Sequence, residues 1–131
     1  MTKHIALVSL VVADYDEAIE FYTKKFGFDL IEDTAQPGKR WVVVAPKTPK
    51  GTSGCQLLLA KAKNAAERKA IGHQTGGRVF LFLETNDFDR DYQQYLKAGI
   101  KVVRPKKVED YGTVAVFEDL YGNMWDLVQR N

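Results

Sequence analysis

The sequence has almost no cysteine and no long apolar run. Cys55 is the single cysteine among 131 residues, so no disulfide can form within the chain. No apolar stretch approaches the roughly 18 residues of a membrane-spanning helix, and no secretory leader pattern follows the N-terminal Met-Thr-Lys-His. We therefore expect a cytoplasmic protein without a membrane partner, in which Cys55 is a buried, inert thiol.

An excess of charge of one sign is also absent. The 19 Lys and Arg residues and the 17 Asp and Glu residues are interleaved and leave a net charge of +2, which argues against a nucleic-acid partner. The P-loop, G-x-S-x-G and H-E-x-x-H motifs are missing, which excludes the usual kinase, hydrolase and protease classes. With 45% apolar and 27% charged residues, the chain can bury a core as a single domain over 1–131.

The first half of the chain predicts a strand, a helix and three further strands. Residues 4–12 (HIALVSLVV) are nearly all apolar, as in a strand covered on both faces. Asp14 and Glu17 have the spacing of a capping box, and Gly27 ends the helix that follows. Apolar runs between turn residues predict the other strands: 28–35, 40–45 and 56–60. Residues 4–60 therefore form a first βαβββ module.

Residues 46–54 and 61–76 are predicted to lie outside the strands and the helix of the first module. Residues 46–54 (PKTPKGTSG) contain two Pro and two Gly and predict a loop, which could act as a mobile flap. Residues 61–71 are rich in Ala, Lys, Glu and Arg and predict a short exposed helix within a linker over 61–76.

The same order of elements repeats over residues 77–130. A strand at 79–85 and a helix at 87–99 precede three strands: 100–105, 113–118 and 124–128. Residues 14–16 (DYD) match 87–89 (DFD), and residues 54–59 match 122–127. We predict an α+β fold of two tandem βαβββ modules with pseudo-two-fold symmetry, whose curled mixed sheets enclose a cleft. Alternation along the first strand places Ala6, Val8, Leu10 and Val12 on the helix face, and Ile5, Leu7, Ser9 and Val11 in the cleft.

Two motifs resemble those of the vicinal oxygen chelate superfamily of glyoxalases, bleomycin-resistance proteins and extradiol dioxygenases. Val12-Ala13-Asp14, Ala18, Phe21-Tyr22 and Phe26-Gly27-Phe28 resemble its V-x-D … A/S-x-x-F-Y-x-x-x-L-G-F pattern. Residues 117–127 (FEDLYGNMWDL) resemble F-x-D-P-x-G-N-x-x-E-L, and the likeness runs from about Ile5 to Gln129. The resemblance implies the paired-module fold and a homodimer. It leaves activity open, because the family includes lyases, isomerases, dioxygenases, thiol transferases and non-catalytic drug binders.

The resemblance also implies four cleft positions at which the family's enzymes hold a metal ion. In this chain they fall on Leu7, Leu58, Phe80 and Asp126. Only the last is a donor, whereas a divalent ion takes about four to six ligands. We therefore predict no cofactor and disfavour a metal. A register shifted by one residue would bring Ser9 or Gln56 into consideration.

Asp126 is the candidate catalytic residue and polar anchor of a binding site. A lone carboxylate in an apolar strand could be the counter-ion or general base for a ligand. Alternatively, it could pair with a neighbouring Arg or Tyr as a remnant of the family's site.

The remaining ligand-binding candidates are aromatic, apolar or cationic. Trp41 and Trp125 could line a pocket, although aromatic strand residues are more often core. Arg40, Arg78 and Arg104 stand at strand ends and could hold an anion, and we prefer Arg40 because it adjoins Trp41. The predicted ligand-binding set is Leu7, Ser9, Arg40, Trp41, Leu58, Phe80, Trp125 and Asp126.

Two functions remain open from the sequence. The first is metal-free binding of a small organic ligand, as in the bleomycin-resistance proteins. The net charge of +2 does not fit an acidic trap for a cationic drug, so bleomycin itself is not the expected ligand. The alternative is a glyoxalase-like or dioxygenase-like metal-dependent enzyme, whether lyase, isomerase or oxygenase.

Overall fold

The structure, a computed structural model, describes residues 2–49 and 54–131 and contains the predicted order of elements. The strands are β1 (Leu7–Val12), β2 (Asp29–Gln36), β3 (Lys39–Ala45), β4 (Gln56–Lys61), β5 (Leu81–Glu84), β6 (Val102–Glu109), β7 (Gly112–Glu118) and β8 (Met124–Arg130). The helices are α1 (Tyr15–Glu20), which continues into a π-helical segment (Phe21–Lys25), α2 (Ala65–Ala70) and α3 (Phe88–Lys97). The predicted α+β fold of two βαβββ modules is confirmed. Within the predicted 46–54 flap, residues 50–53 lie outside the described residues.

The chain divides between Ile71 and Gly72 into two compact units, called here unit 1 and unit 2. Unit 1 holds a mixed four-stranded sheet in the order β1-β4-β3-β2, in which only the β1–β4 pair is parallel. Leu10 and Val12 are 0% exposed, in agreement with the predicted helix face of β1. The strand begins at Leu7 rather than at His4, because the partner of Leu7 is Gln56, the first residue of β4.

The helix of unit 1 changes its winding halfway along. The Asp14 side chain accepts the N–H of Glu17 at 2.9 Å, as the predicted cap requires. From Phe21 onward the winding is π-helical, and the N–H of Phe26 reaches the carbonyl of Phe21 at 3.1 Å. This places the Phe21, Tyr22 and Phe26 rings within 5.0–5.4 Å of one another, between centroids. The predicted single helix over 14–26 is thus two segments, joined where aromatic packing sets the geometry.

Unit 2 repeats the topology with the order β5-β8-β7-β6, again with one parallel pair, β5–β8. Helix α3 packs on β7 and β8, where Tyr95 meets Phe117 edge to face at 5.1 Å between ring centroids. The buried apolar residues of unit 2 are Phe88, Tyr95, Ile100, Ala115, Val116, Phe117, Trp125, Leu127 and Val128.

Several boundaries differ from prediction for identifiable reasons. The linker helix is shorter than 61–71, because Lys61 belongs to β4 and Asn64 caps the helix by accepting the N–H of Glu67 at 2.8 Å. Strand β6 runs beyond Pro105, which an edge strand tolerates. Cys55 is exposed, so its predicted burial is wrong; it lies before the first residue of β4. Over the described residues, no helix has the length and apolar character needed to cross a bilayer.

Candidate functional site

The turn before β8 is held together by Asp119. This residue is 6% exposed, and its Oδ1 accepts the backbone N–H groups of Tyr121 and Asn123, both at 2.9 Å. Its Oδ2 accepts the side-chain amide of Asn123 at 2.9 Å. Gly122 has a φ of 97°, which favours glycine. The carboxylate of this turn therefore fixes where β8 begins, and with it the position of Asp126.

Asp126 belongs to a row of four residues across the sheet of unit 2. Phe82 of β5 is its partner in the parallel pair, and Val116 of β7 is its partner in the antiparallel pair. Arg104 of β6 lies opposite Val116. Directly opposite residues on adjacent strands project from the same face of a sheet. We call Phe82, Asp126, Val116 and Arg104 the Asp126 row.

The carboxyl group of Asp126 is half-buried and incompletely satisfied. Its Oδ1 is the buried side-chain oxygen that has no hydrogen-bond partner among the described residues. Burial raises the pKa of Asp126 above its ordinary value of 3.8, and the positive charge of Arg104 acts in the opposite direction. A buried carboxylate oxygen without a donor is costly. The arrangement is therefore suited to a ligand that supplies an N–H or O–H group.

The other charged side chains of this sheet face are engaged in ion pairs. The pairs are Glu84–Arg130 at 2.7 Å, Glu118–Lys101 at 3.1 Å and Lys107–Glu109 at 3.1 Å. Asp126 and Arg104 take part in none of the ion pairs found across residues 2–49 and 54–131. These two charges are the ones on the face that remain available to a ligand.

Unit 1 has an apolar residue at the position of Asp126. Leu58 of β4 lies between Ser9 of β1 and Val43 of β3. By place in the sheet, Leu58 corresponds to Asp126 and Ser9 to Phe82. The predicted candidates Leu7 and Phe80 each stand two residues earlier than Ser9 and Phe82, and the Phe80 N–H donates to the carbonyl of Met124 at 2.8 Å.

The donor set does not fit the ion that the resemblance implied. No group of three His, Cys, Asp or Glu side chains is placed to hold a metal in the part of the chain that the structure describes. Leu7, Leu58 and Phe80 carry no side-chain donor atoms, which leaves one carboxylate where about four ligands are needed.

Arg40, the preferred cation of the sequence analysis, is already paired within unit 1. Its guanidinium contacts the Asp33 carboxylate at 2.7 Å and the Asp16 carboxylate at 3.0 Å. It also lies 5.1 Å from the centre of the Tyr15 ring. The hydrogen bond from Arg40 lowers the pKa of Asp33. Arg40 thus fastens helix α1 to the β2–β3 hairpin, and its predicted contact with a ligand stays a prediction.

The two tryptophans have different environments. Trp125 is 4% exposed, its ring meets Phe80 edge-on at 6.2 Å between centroids, and alternation places it on the face opposite Asp126. Trp41 is half-buried and lies two residues before Val43, on the same face of unit 1 as Leu58. The structure does not bring Trp125 and Asp126 together, although they are neighbours in the chain.

Phe82 is not among the site residues that the sequence predicts. It is 69% exposed although it lies within the apolar run 79–85. The available signal was its alternation with Leu81 and Leu83, but the strand register that makes it the partner of Asp126 was not readable from composition. By sequence, Arg104 is one of three cations at strand ends, and nothing sets it apart from Arg40 and Arg78.

Comparison with known proteins places the chain in a family. The family described as the Glyoxalase/Bleomycin resistance protein/Dioxygenase superfamily matches residues 3–127. An uncharacterized protein of Shewanella frigidimarina (strain NCIMB 400) is 59% identical over 133 residues, which cover 100% of this chain and 96% of that protein. The uncharacterized protein YurT of Bacillus subtilis (strain 168) is 30% identical over 131 residues, with 96% of this chain and 98% of YurT covered.

Two solved structures, TnmS3 and UcmS2, have similar folds. TnmS3, described as an antibiotic binding protein from Streptomyces sp. CB03234, has a TM-score of 0.77 and 30% identity, and the match covers 99% of this chain and 98% of TnmS3. UcmS2 has a TM-score of 0.83 and 27% identity, with 98% of both chains covered.

Proposed function

The chain belongs to the glyoxalase/bleomycin resistance protein/dioxygenase superfamily, and from this premise we propose that it binds a small, partly apolar organic molecule without a metal ion. The sheet face of unit 2 that carries the Asp126 row is the proposed binding surface. Asp126 is its polar anchor, and Phe82 provides apolar contact area.

The observation that carries the proposal is the pairing of an unsatisfied carboxylate with an exposed ring. Asp126 Oδ1 is buried without a hydrogen-bond donor, and its register partner Phe82 is 69% exposed. An unpartnered buried acceptor and an exposed large apolar side chain are each costly or unusual in isolation. Both are accounted for if a ligand covers the ring and donates to the carboxylate, since binding sites combine apolar area with few polar groups.

The relatives support a small-molecule ligand. TnmS3, at 30% identity over 99% of this chain, is described as an antibiotic binding protein. Its fold is shared over nearly all of both chains, so a binding role is compatible with this chain's architecture. The metal-free part of the proposal is supported by the donor set, because Leu58 stands at the position in unit 1 that corresponds to Asp126.

The group that meets Asp126 is a hydrogen-bond donor. A ligand amine would make Asp126 a counter-ion, and charge-assisted hydrogen bonds of this kind are stronger than neutral ones. A ligand hydroxyl or amide would instead satisfy Oδ1 as a neutral donor. If the ligand carries a proton that can be removed, Asp126 is also the candidate general base.

The proposal is tested by thermal unfolding against a panel of metabolites and antibiotics, with and without added divalent metal. A ligand present at a concentration of about 100 times its Kd for the wild-type chain should add roughly 2.7 kcal/mol to the free energy of unfolding. We expect this stabilisation without metal, unchanged by a chelator, and lost in Asp126→Asn. Asp110→Asn is the matched control, since it neutralises another carboxyl group of unit 2 that is exposed.

Two results would contradict the proposal. One is a purified protein that carries about one divalent ion per chain and loses its ligand response on chelation, which would favour the metal-dependent enzyme. The other is an Asp126→Asn variant that responds to every ligand as the wild type does.

Assembly is proposed on the family resemblance alone. We propose a homodimer in the cytoplasm. Sedimentation at micromolar concentration tests the first part, and a monomeric profile would count against it.

A further inference from the structure

Arg104 offers a second polar anchor on the same sheet face as Asp126. It lies two strands away, opposite Val116, which in turn lies opposite Asp126. Adjacent strands are spaced about 4.8 Å apart, so the two backbones are held roughly 10 Å from each other. This spacing agrees with the absence of Arg104 and Asp126 from the ion pairs found among the described residues.

The two charges are nevertheless close enough to interact. The positive charge of Arg104 acts on the Asp126 carboxyl group and partly offsets the effect of burial on it. A purely cationic ligand at Asp126 would therefore also be repelled by Arg104. A purely anionic ligand at Arg104 would likewise be repelled by the Asp126 carboxylate. A ligand with both signs, or with a donor and an anionic group, complements both residues.

Because the other charged side chains of this face form ion pairs, Asp126 and Arg104 are the charges that select the ligand. Glu84, Glu118 and Lys107 share the face and each has an ion-pair partner. Asp126 and Arg104 are separated by the apolar Val116, which is 3% exposed. Phe82 extends the row beyond Asp126 as an exposed ring. The row thus reads, in order, as aromatic, acidic, apolar and basic.

We propose that the ligand of this face is dipolar: a hydrogen-bond donor or ammonium group meets Asp126 beside the Phe82 ring, an anionic group such as a carboxylate meets Arg104, and an aromatic or apolar body lies over Val116 between them. This inference rests on the proposed function, because it names the ligand class of the same surface. It assigns Arg104 as a second binding residue. The ligand class differs from the cations expected of an acidic drug trap, and it agrees with the chain's small net charge of +2.

The test uses three matched probes and the full chain. The dipolar probe is para-aminomethylbenzoate, which carries an ammonium and a carboxylate group at opposite ends of a ring. Para-methylbenzylamine lacks the carboxylate, and para-methylbenzoate lacks the amine. Dissociation constants come from NMR titration of isotope-labelled protein, in which the same spectra report whether each variant is folded.

We expect the dipolar probe to bind wild type about tenfold or more tightly than either analogue, because each charge-assisted contact contributes at least that factor. Its amide shifts should concentrate on β6 and β8. Arg104→Gln should reduce the affinity for the dipolar probe to that of the amine, and leave binding of the amine unchanged or stronger. Arg104→Lys, which keeps the charge, should retain part of the preference. Lys107→Gln is the charge-matched control, because Lys107 is on the same strand and face but is paired with Glu109.

The inference is overturned if wild type binds the three probes equally or binds none of them, or if Lys107→Gln has the same effect as Arg104→Gln. The proposed function is judged separately, by whether a panel ligand stabilises the chain in a manner that requires Asp126. If a panel ligand requires Asp126 but binds Arg104→Gln as tightly as wild type, the proposed function stands and the inference that the ligand is dipolar is overturned.

Discussion

Asp126 and Phe82 are register partners across the parallel β5–β8 pair, so a half-buried carboxyl group and a ring that is 69% exposed project side by side from one sheet face. The carboxyl oxygen Oδ1 has no donor within the described residues. The pair therefore joins the two properties that a small-molecule site needs, a polar anchor and uncovered apolar area.

The first prediction concerns Asp126 and pH. Because burial raises its folded pKa above the ordinary value of 3.8, the folded state holds its proton more tightly than the unfolded state. The stability from this proton is fully present below the unfolded pKa and is lost as the pH rises through the folded pKa. Asp126→Asn should therefore be more stable than wild type at pH 7, by up to about 1 kcal/mol.

Urea unfolding at pH 3 and pH 7 checks this prediction. The difference between Asp126→Asn and wild type should be present at pH 7 and absent at pH 3. Asp110→Asn, at an exposed position, should show no such pattern. An Asp126→Asn variant that is less stable at pH 7 would mean that the carboxylate has a stabilising partner.

The second prediction separates binding from stability at Phe82. Since the ring is 69% exposed, Phe82→Ala should change the free energy of unfolding by no more than about 0.5 kcal/mol. The same change should weaken a panel ligand about tenfold, because ligand contact with the ring is lost. Calorimetric titration and thermal unfolding give the two numbers. Val108→Ala, at a residue that is 74% exposed, should alter neither, and equal loss of affinity in both variants would argue against a specific role for Phe82.

The third prediction concerns the turn that positions β8. Asp119→Ala removes the acceptor for two backbone N–H groups and for the Asn123 side chain. Because these groups are left unpaired in a buried turn, we expect a loss of about 2 kcal/mol or more. Chemical unfolding measures it, with Asp110→Ala as an exposed control. A cost equal to that of the control would show that the turn holds without Asp119.

The fourth prediction concerns Gly72, which lies against the same turn. Its φ is +73°, and a Cβ there would come within 1.9 Å of the Tyr121 carbonyl oxygen. Gly76 has a φ of +64° and nothing within 4 Å of such a Cβ. Gly76→Ala should therefore cost only the backbone strain, about 1 kcal/mol, whereas Gly72→Ala should cost about 2 kcal/mol more through the clash. Chemical unfolding of the two variants measures both losses of unfolding free energy. Equal losses would contradict the close packing of Gly72 on Tyr121.

The fifth prediction concerns Arg40 and acid. Because the hydrogen bond from Arg40 lowers the folded pKa of Asp33 below 3.8, the contribution of this pair is present above the unfolded pKa and is lost as the pH falls through the folded pKa. Arg40→Gln should lower the melting temperature at pH 7, and this loss should shrink towards pH 2. Lys39→Gln, one residue away and exposed, is the control. A pH-independent loss would assign the effect to packing on Tyr15 instead.

Sequence pattern was sufficient for the fold and for the importance of Asp126. The duplicated order of elements, the caps at Asp14 and Asp87, and the alternation on β1 are local properties, and local properties are readable from one chain. The carboxylate stood out because its neighbours in the strand are apolar. By contrast, the burial of Cys55 was predicted wrongly, because one residue at a strand end decides whether the side chain is covered.

The tertiary structure decided which residues accompany Asp126. Trp125 is adjacent in the chain, yet it lies on the opposite sheet face, while Phe82 and Arg104, 44 and 22 residues earlier, share the row. Arg40 is a free cation by sequence, yet two carboxylates brought together by folding occupy it. Strand register and ion pairing join residues far apart in the chain, and a shift of one residue would reverse every face. The sequence therefore determined that this carboxylate is unusual, and only the packing of strands determined what lies beside it.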